Sequence, residues 1–247
     1  MDVKTAARVL DIFEAFASEQ KPLTLSDLAK ALGIPVSSCF GLVRTLENRG
    51  FLYSVRPRGG LYPTKRLLQI ARTISGHDPI VERVAPILAA LRDATGETSV
   101  FGKRQGARVI YLDVADSPHR IRYTAAPGES REMHSNSIGK ALLAQMSPEE
   151  RDAVLADVAL TAHTPDTLVT RAALYADVEA GKARGYFCNF GGSVSDVWAL
   201  GVATSIAGEP YGLSLVGPRH RIEPAVAEHV AHLRDAAQAI AALEEHS

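Results

Sequence analysis

The chain has 247 residues, of which 46% are hydrophobic and 22% are charged, a composition that excludes a disordered or collagen-like protein. Its two cysteines, Cys39 and Cys188, are too few for a disulfide scaffold or a cysteine-rich zinc site. No hydrophobic run reaches the roughly 18 residues that a membrane-spanning helix needs, and the first residues lack the pattern of a secretory signal. We therefore expect a cytoplasmic protein with no membrane partner.

The formal net charge of −1 conceals an asymmetry along the chain. Residues 1–75 contain 11 lysines and arginines against 6 acidic residues, whereas residues 76–247 contain 16 against 22. A basic segment joined to a larger acidic one is typical of a polyanion-binding module attached to a second domain.

The N-terminal segment predicts three helices. Residues 5–19 place their apolar side chains on one helical stripe. The capping box Thr24–Asp27 begins a second helix, which we expect to end near Leu32. Pro35 suits the first turn of a third helix, and Gly50 suits the left-handed residue that ends it.

Two short strands, 51–54 and 61–63, follow the third helix and flank a basic turn, so the segment predicts a winged helix-turn-helix. The N-terminal half of the third helix can then read base edges in the major groove, while basic residues of helix and wing contact phosphates. A winged helix that binds protein is the alternative. The predicted contacts to double-stranded operator DNA are Thr24, Ser26, Val36, Ser37, Ser38, Phe40, Gly41, Arg44, Arg56 and Arg58.

Four segments resemble the IclR family of bacterial transcription regulators: RVLDIFEAF, PLTLSDLAKALGIPVSS, LVRTLENRGFL and LYPTKRLLQIA. The resemblance covers nearly the whole chain. It implies a DNA-binding domain at 1–64, a linker helix at 65–78, and a GAF-like α+β effector-binding and oligomerisation domain at 79–247. It also implies a homodimer or homotetramer. Family members usually carry a basic or polar residue at Val36 and an arginine at Gly41, so this recognition helix has less charge than theirs.

The larger C-terminal segment mixes helical and strand patterns, which predicts an α+β fold. Residues 126–135 are expected to form a loop. The predicted strands are 98–103, 108–114, 120–125, 186–190, 197–205 and 211–216. The predicted helices are 80–94, 138–146, 148–156, 171–184 and 223–245.

The segment 134–140 begins a predicted helix, whose free backbone N–H groups and positive dipole end suit a carboxylate. It resembles the family pattern H-A-T-A-L-G-K-A, which helps to hold the effector. That resemblance implies the effector-binding residues His134, Ser137, Ile138, Gly139, Asn189, Val197, Trp198, Ala199, Ser214 and Val216. Relatives that bind small oxoacids have aspartate at Asn189. The neutral Asn189, with Phe190 and Trp198 nearby, predicts an anionic aromatic or acyl effector rather than glyoxylate or pyruvate.

Enzymatic motifs are weak in this sequence. Ser137 and Lys140 match S-x-x-K, so an acyl-transfer enzyme is an alternative function, but no K-T-G element follows. His229 and His232 lie three residues apart on a helix without a third ligand near in sequence, so we predict no metal and no cofactor. The sequence favours a ligand-responsive transcription regulator, a repressor of a catabolic operon, that senses a small organic acid and is not an enzyme.

Overall fold

A computed structural model describes residues 3–56, 59–75, 78 and 80–243 of the chain. The chain divides into two compact units between residues 78 and 79. Among the described residues, every helix is too short or too polar to pass through a lipid bilayer.

The first unit is the predicted winged helix-turn-helix. The Thr24 hydroxyl accepts a hydrogen bond from the backbone N–H of Asp27 at 3.2 Å, and the Asp27 carboxylate accepts one from the N–H of Thr24 at 2.9 Å. Gly50 follows the third helix with φ +73°, a conformation that glycine adopts without strain. The elements are α1 (Lys4–Glu19), α2 (Leu25–Ala31), α3 (Val36–Asn48), β1 (Leu52–Ser54), β2 (Leu61–Pro63) and α4 (Arg66–Ser75).

One apolar core holds the first unit together. Ile12 of α1 and Leu28 of α2 are fully buried in it, as is Cys39 of α3. Strands β1 and β2 pair antiparallel, with Leu52 opposite Pro63. Because α3 uses Cys39, Val43 and Leu46 for the core, its other face is left to solvent.

The second unit is α+β, as predicted. The C-terminal helix begins later than predicted, because residues 223–225 form a 3₁₀ turn, and residues 244 and 245 of the predicted span lie outside the described residues. The elements are α5 (Val81–Thr95), β3 (Thr98–Gln105), β4 (Arg108–Ala115), β5 (Ser130–Glu132), α6 (Ser137–Ala144), α7 (Pro148–Leu155), α8 (Arg171–Arg184), β6 (Phe187–Phe190), β7 (Val197–Ile206), β8 (Glu209–Pro218), α9 (Arg219–Ile222) and α10 (Val226–Ala241).

An antiparallel sheet forms the centre of the second unit, with the strand order β5-β4-β3-β8-β7-β6 in the part of the chain that the structure describes. One face packs on α5 and α10 through a core that includes Leu88, Leu213 and Leu233. The other face packs on α6 and α8 through a core that includes Ile138 and Leu174. The sheet is therefore covered by helices on both sides.

The predicted strand at 120–125 is wrong, and the predicted loop at 126–135 contains β5. The open edge of β4 is occupied by β5, which pairs Arg108 with Glu132, so residues 120–125 have no strand partner. A side chain holds that segment instead, since the Thr98 hydroxyl donates to the carbonyl of Tyr123 at 2.8 Å. Ile121, in the middle of that segment, is exposed.

His229 of α10 makes the stability of the second unit dependent on pH. Burial lowers the pKa of His229, against a smaller opposing effect of the Glu97 and Glu228 carboxylates. As the pH falls, His229 therefore binds a proton in the unfolded chain before it does so in the folded chain. The free energy of unfolding should be constant above about pH 6.5 and fall below it.

We expect the urea midpoint of the wild-type protein to fall between about pH 7.5 and pH 5.5 by more than that of His229→Gln, which lacks the titrating ring. An equal fall in both proteins would show that His229 titrates alike in the folded and unfolded states.

Candidate functional site

The solvent-facing side of α3 carries the residues predicted to contact DNA. Phe40, one of the larger side chains on this face, is 50% exposed and has no partner in the core of the unit. The predicted residues on this helix are all exposed: Val36, Ser37, Ser38, Phe40, Gly41 and Arg44. The arrangement leaves a face of α3 available to enter a groove of duplex DNA.

Arg44 is the cation of this face. Its guanidinium carbon lies 5.7 Å from the centre of the Phe40 ring, and no carboxylate among the described residues pairs with it. Ser26 and Arg56 are also exposed, whereas the Thr24 hydroxyl is used in the capping box. Arg58 lies outside the described residues.

The second unit contains a cavity of about 480 Å³ between the α6 face of the sheet and the start of α6. That volume is within the usual range for a small-molecule site. Part of the predicted effector set lines it: Ser137, Asn189, Val197, Ala199, Ser214 and Val216.

The start of α6 gives the cavity a wall of hydrogen-bond donors. The Asn136 side chain caps the helix, since its Oδ1 accepts from the N–H of Gly139 at 3.1 Å while its Nδ2 donates to the Tyr111 hydroxyl at 2.7 Å. The backbone N–H groups of Ser137 and Ile138 have no hydrogen-bond acceptor among the described residues. The hydroxyls of Ser137 and Ser214 lie 2.8 Å apart. An anion in the cavity can therefore meet two N–H groups and a serine pair.

Close packing fixes where α6 begins. A Cβ added at Gly201 of β7 would lie 2.9 Å from the carbonyl carbon of Ser137, and one added at Gly139 would lie 2.4 Å from the Met133 backbone. Side chains at either position would push the start of α6 out of place. Glycine therefore sets the distance between the sheet and the donors at the cavity wall.

Asn189 closes one side of the cavity. It is buried, and its Nδ2 donates to the Ser135 carbonyl at 2.8 Å and to the Ser193 hydroxyl at 3.0 Å. These bonds connect β6 with the segment before α6 and with the loop before β7. An amide at this position adds no charge to the cavity, unlike an aspartate.

Two arginines, Arg108 and Arg131, line the cavity. Arg108 donates to the Ser130 hydroxyl at 2.5 Å and to its carbonyl at 3.1 Å. Arg131 pairs with Glu129, and its guanidinium carbon lies 5.8 Å from the centre of the Tyr111 ring. Burial raises the pKa of the Tyr111 phenol, so its hydroxyl stays protonated and available for hydrogen bonding.

Four residues predicted to bind the effector are not part of the cavity lining. Trp198 faces the opposite core, because neighbouring residues of a strand point to opposite sides of the sheet, and its ring stacks on Phe190 with centroids 4.0 Å apart. Ile138 is fully buried in the core beneath α6, and Gly139 packs on the Met133 backbone. The ring of His134 is buried, with its Nε2 3.1 Å from the Thr161 carbonyl.

The sequence reasoning missed the polar half of the cavity. Arg108 and Tyr111 of β4 line the cavity, as do Tyr123 and Arg131. Glu132 and His163 also line it, and with His134 they bring a carboxylate oxygen and two ring nitrogens within 4.8 Å of one another. Glu132 and His134 are two residues apart, a spacing that places both side chains on one side of an extended segment, but nothing in the sequence indicates their meeting with His163.

The geometry around Ser137 does not form an acylation dyad. Nζ of Lys140 lies 2.8 Å from the Cys188 carbonyl and 2.8 Å from the Asp177 carboxylate, and the whole side chain is buried. The lysine therefore acts as the buried cation of an ion pair that ties α6 to α8 and β6. The Ser137 hydroxyl instead meets that of Ser214, which is not a base.

Comparison with known protein families gives matches in both units. A model described as "IclR helix-turn-helix domain" matches residues 5–56. A model described as "Bacterial transcriptional regulator IclR C-terminal" matches residues 72–242.

Comparison with individual proteins also gives matches to transcription regulators. The chain is 29% identical over 225 residues to HTH-type transcriptional regulator BhcR of Paracoccus denitrificans, with 90% of this chain and 80% of that protein covered. It is 28% identical over 229 residues to the Acetate operon repressor of Salmonella typhimurium, with 89% and 82% covered. A solved IclR homolog from Microbacterium hydrocarbonoxydans, complexed with 4-hydroxybenzoate, has a TM-score of 0.81 at 23% identity, with 98% of this chain and all of that chain covered.

Proposed function

The chain belongs to the IclR family of bacterial transcription regulators, and we propose that it represses a catabolic operon until a small organic acid binds in the cavity of its second unit. Like these relatives, it is a DNA-binding transcription regulator. It responds to a ligand and is not an enzyme. In this proposal residues 1–64 bind DNA, 65–78 are the linker that contains α4, and 79–247 bind the effector and oligomerise.

The observation that carries this proposal is the wall of donors at the start of α6. Two backbone N–H groups without acceptors, at the positive end of a helix and beside paired serines, provide a binding site for a carboxylate. No nucleophile and base come together there, so the site suits binding without turnover. The effector carboxylate is proposed to contact Ser137 and the N–H groups of Ser137 and Ile138.

The remaining space in the cavity favours an acid larger than a two-carbon oxoacid. Val197, Ala199 and Val216 supply an apolar wall, and Tyr111 supplies an aromatic one. Phe190 and Trp198, which suggested the aromatic effector from the sequence, do not line the cavity, whereas Tyr111 and Tyr123 do. The homolog complexed with 4-hydroxybenzoate adds support for an aromatic or acyl carboxylate.

Calorimetry with a panel of acids tests the effector class. The full chain is titrated with benzoates, short acyl carboxylates, glyoxylate and pyruvate, and with the matching neutral amides as controls. The proposal predicts heat from an aromatic or acyl acid, no heat from its amide, and loss of binding in Ser137→Val. Binding of glyoxylate or pyruvate alone would overturn the assignment.

We further propose that the chain binds DNA as a homodimer, since two recognition helices then meet two half-sites about one helical turn apart. Helix α4 supports this, because Leu67, Ile70 and Ile74 share one exposed side at helical spacing, and Ile74 is 68% exposed. Apolar surface of this kind marks an interaction site more often than a solvated face. Sedimentation of the full chain gives the oligomeric state directly.

Removal of the Ser38 hydroxyl is expected to change sequence preference more than overall affinity. Loss of one hydrogen bond to a base edge reduces discrimination at that position by about 1 kcal/mol, or about fivefold. The measurement compares the affinity of Ser38→Ala for a duplex selected from a random pool with its affinity for single-base variants of that duplex.

Thr45→Ala is the control for this variant, because the Thr45 hydroxyl donates to the Gly41 carbonyl of the same helix. That variant should keep the wild-type preference. If Ser38→Ala loses affinity equally for selected and random duplexes, Ser38 contacts the backbone and not a base.

A further inference from the structure

The side chains of Glu132, His134 and His163 meet beside the cavity, and none of them is needed to hold an acid at the start of α6. The Glu132 Oε2 lies 2.7 Å from Nε2 of His163 and 3.7 Å from Nε2 of His134. The carbonyl oxygen of Thr161 lies 3.1 Å from the same nitrogen of His134. Three side-chain ligand atoms therefore lie within 4.8 Å of one another, and a carbonyl oxygen contacts one of them.

These separations fit a small divalent ion. In a tetrahedral zinc site with bonds of about 2.0–2.1 Å, neighbouring ligand atoms are about 3.3–3.4 Å apart. The three separations, 2.7, 3.1 and 3.7 Å, lie on both sides of that value. For an ion to bind between Glu132 and the two histidines, the Glu132–His163 contact must open and the Glu132–His134 contact must close, each by less than about 1 Å.

The surroundings hold two of the ligands in place. The His134 side chain has no exposed surface, and Glu132 is 22% exposed at the end of β5. His163 is 36% exposed, and its backbone N–H donates to the Thr167 hydroxyl at 3.0 Å. Thr167 in turn donates to the Gly192 carbonyl, so the loop that carries His163 is tied to the cavity wall. His163 has the most exposed side chain of the three, so its ring is the ligand that can adjust its position.

We propose that Glu132, His134 and His163 bind a divalent transition-metal ion, Zn²⁺ in the first instance, with the Thr161 carbonyl as a further oxygen ligand. Two imidazoles and one carboxylate are a zinc ligand set, and imidazole nitrogen disfavours Mg²⁺ and Ca²⁺. When Nε2 of His134 binds the ion, its ring proton sits on Nδ1, which has no hydrogen-bond partner among the described residues. Because Glu132 and His163 also line the cavity, an added ligand can reach the ion from the side of the proposed effector.

If no metal binds, the same geometry is a hydrogen bond between Glu132 and His163. The His163 ring then stacks on the His134 ring, with centroids 6.1 Å apart. The two possibilities differ in a measurable way, because only the metal site makes the three side chains act together on one ligand. Zinc binding is therefore measured first without any organic acid.

The experiment uses the full chain, free of affinity tags and depleted of metal with EDTA that is then removed. Calorimetry and equilibrium dialysis with Zn²⁺ should give one bound ion per chain in the wild-type protein. His163→Ala and Glu132→Gln should each weaken binding at least about tenfold, since loss of a direct ligand costs no less than loss of its supporting partner. His220→Ala, which removes an exposed histidine on α9, should bind as the wild type does.

Two further readouts separate a metal site from a loss of folding. Zn²⁺ should raise the melting temperature of the wild-type protein and leave that of His163→Ala unchanged. Co²⁺ should give visible absorption bands of tetrahedral type in the wild-type protein and lose them in Glu132→Gln. No Zn²⁺ binding by the wild type, or equal binding by His163→Ala, overturns the proposal.

Failure here is distinct from failure of the proposed function. Binding of an organic acid in the presence of EDTA tests the effector cavity alone. An acid that binds in EDTA while the wild type binds no zinc overturns the metal site and supports the effector proposal. Zinc that binds while no acid of the panel does supports the metal site and counts against the effector class.

Discussion

Reversal of the charge at Arg44 is expected to reduce the affinity of the protein for duplex DNA of any sequence by about 100-fold per chain. Arg44 lies on the exposed side of α3 without a carboxylate partner, so its charge is available to a phosphate. Arg44→Glu removes that contact and places a like charge beside the DNA backbone. Two effects of roughly 1.4 kcal/mol each give this factor. The slope of log affinity against log salt should also become shallower by about 1.

Fluorescence anisotropy of a labelled duplex over a range of salt concentrations measures both quantities. Arg104→Glu is the matched control, since Arg104 is an exposed arginine of the second unit whose guanidinium donates to the Gly106 carbonyl. It changes the net charge of the protein equally. A comparable loss in both variants would assign the effect to net charge and remove Arg44 from the interface.

A valine at Gly201 should abolish the response to the effector while DNA binding without effector is retained. The added side chain meets the backbone of Ser137 at a separation of 2.9 Å, so the start of α6 must move away from β7. Overpacking of this kind costs about 1–3 kcal/mol, and the moved N–H groups no longer converge on one carboxylate. We expect acid affinity to fall by at least about 100-fold.

Ala203→Val is the control for this variant, because Ala203 lies two residues further along β7, on the same side of the sheet, away from the cavity lining. Calorimetry with the acid that binds the wild type gives the affinities, and circular dichroism gives the folded fraction. Acid binding in Gly201→Val at wild-type strength would contradict the role assigned to the start of α6.

Local signals in the sequence were sufficient for the first unit. The Thr24–Asp27 capping box and Gly50 set helix ends by hydrogen bonds and backbone conformation that depend on neighbouring residues alone. The helix predicted at 138–146 begins one residue earlier, at Ser137, because the cap is Asn136, whose side chain accepts from the N–H of Gly139.

Contacts between distant segments were not predictable in the same way. Trp198 lies next to Val197 and Ala199 in sequence but on the other side of the sheet. The predicted set of effector-binding residues therefore combined side chains from both faces of the sheet. The strand predicted at 120–125 failed because β5 pairs with β4 instead. Glu132 and His163 meet only after β5 and the loop beyond α7 are placed, which no spacing in the sequence indicates.

The cavity and the recognition helix belong to different units, so an acid can affect DNA binding only if it binds more tightly to one state of the protein than to another. The donors at the start of α6 are the groups whose positions an acid in the cavity can bias. A coupling of about 1–3 kcal/mol would change DNA affinity by about 5–150-fold.

DNA affinity measured with and without a bound acid tests this account most directly. A labelled duplex, selected from a random pool with the full chain, is titrated at low salt in the absence of acid and again at a saturating concentration of the acid identified by calorimetry. We predict salt-dependent binding whose dissociation constant rises at least about fivefold with the acid in the wild type and stays constant in Gly201→Val. No affinity for DNA at low salt, or an affinity that a cavity-bound acid leaves unchanged, would contradict the account.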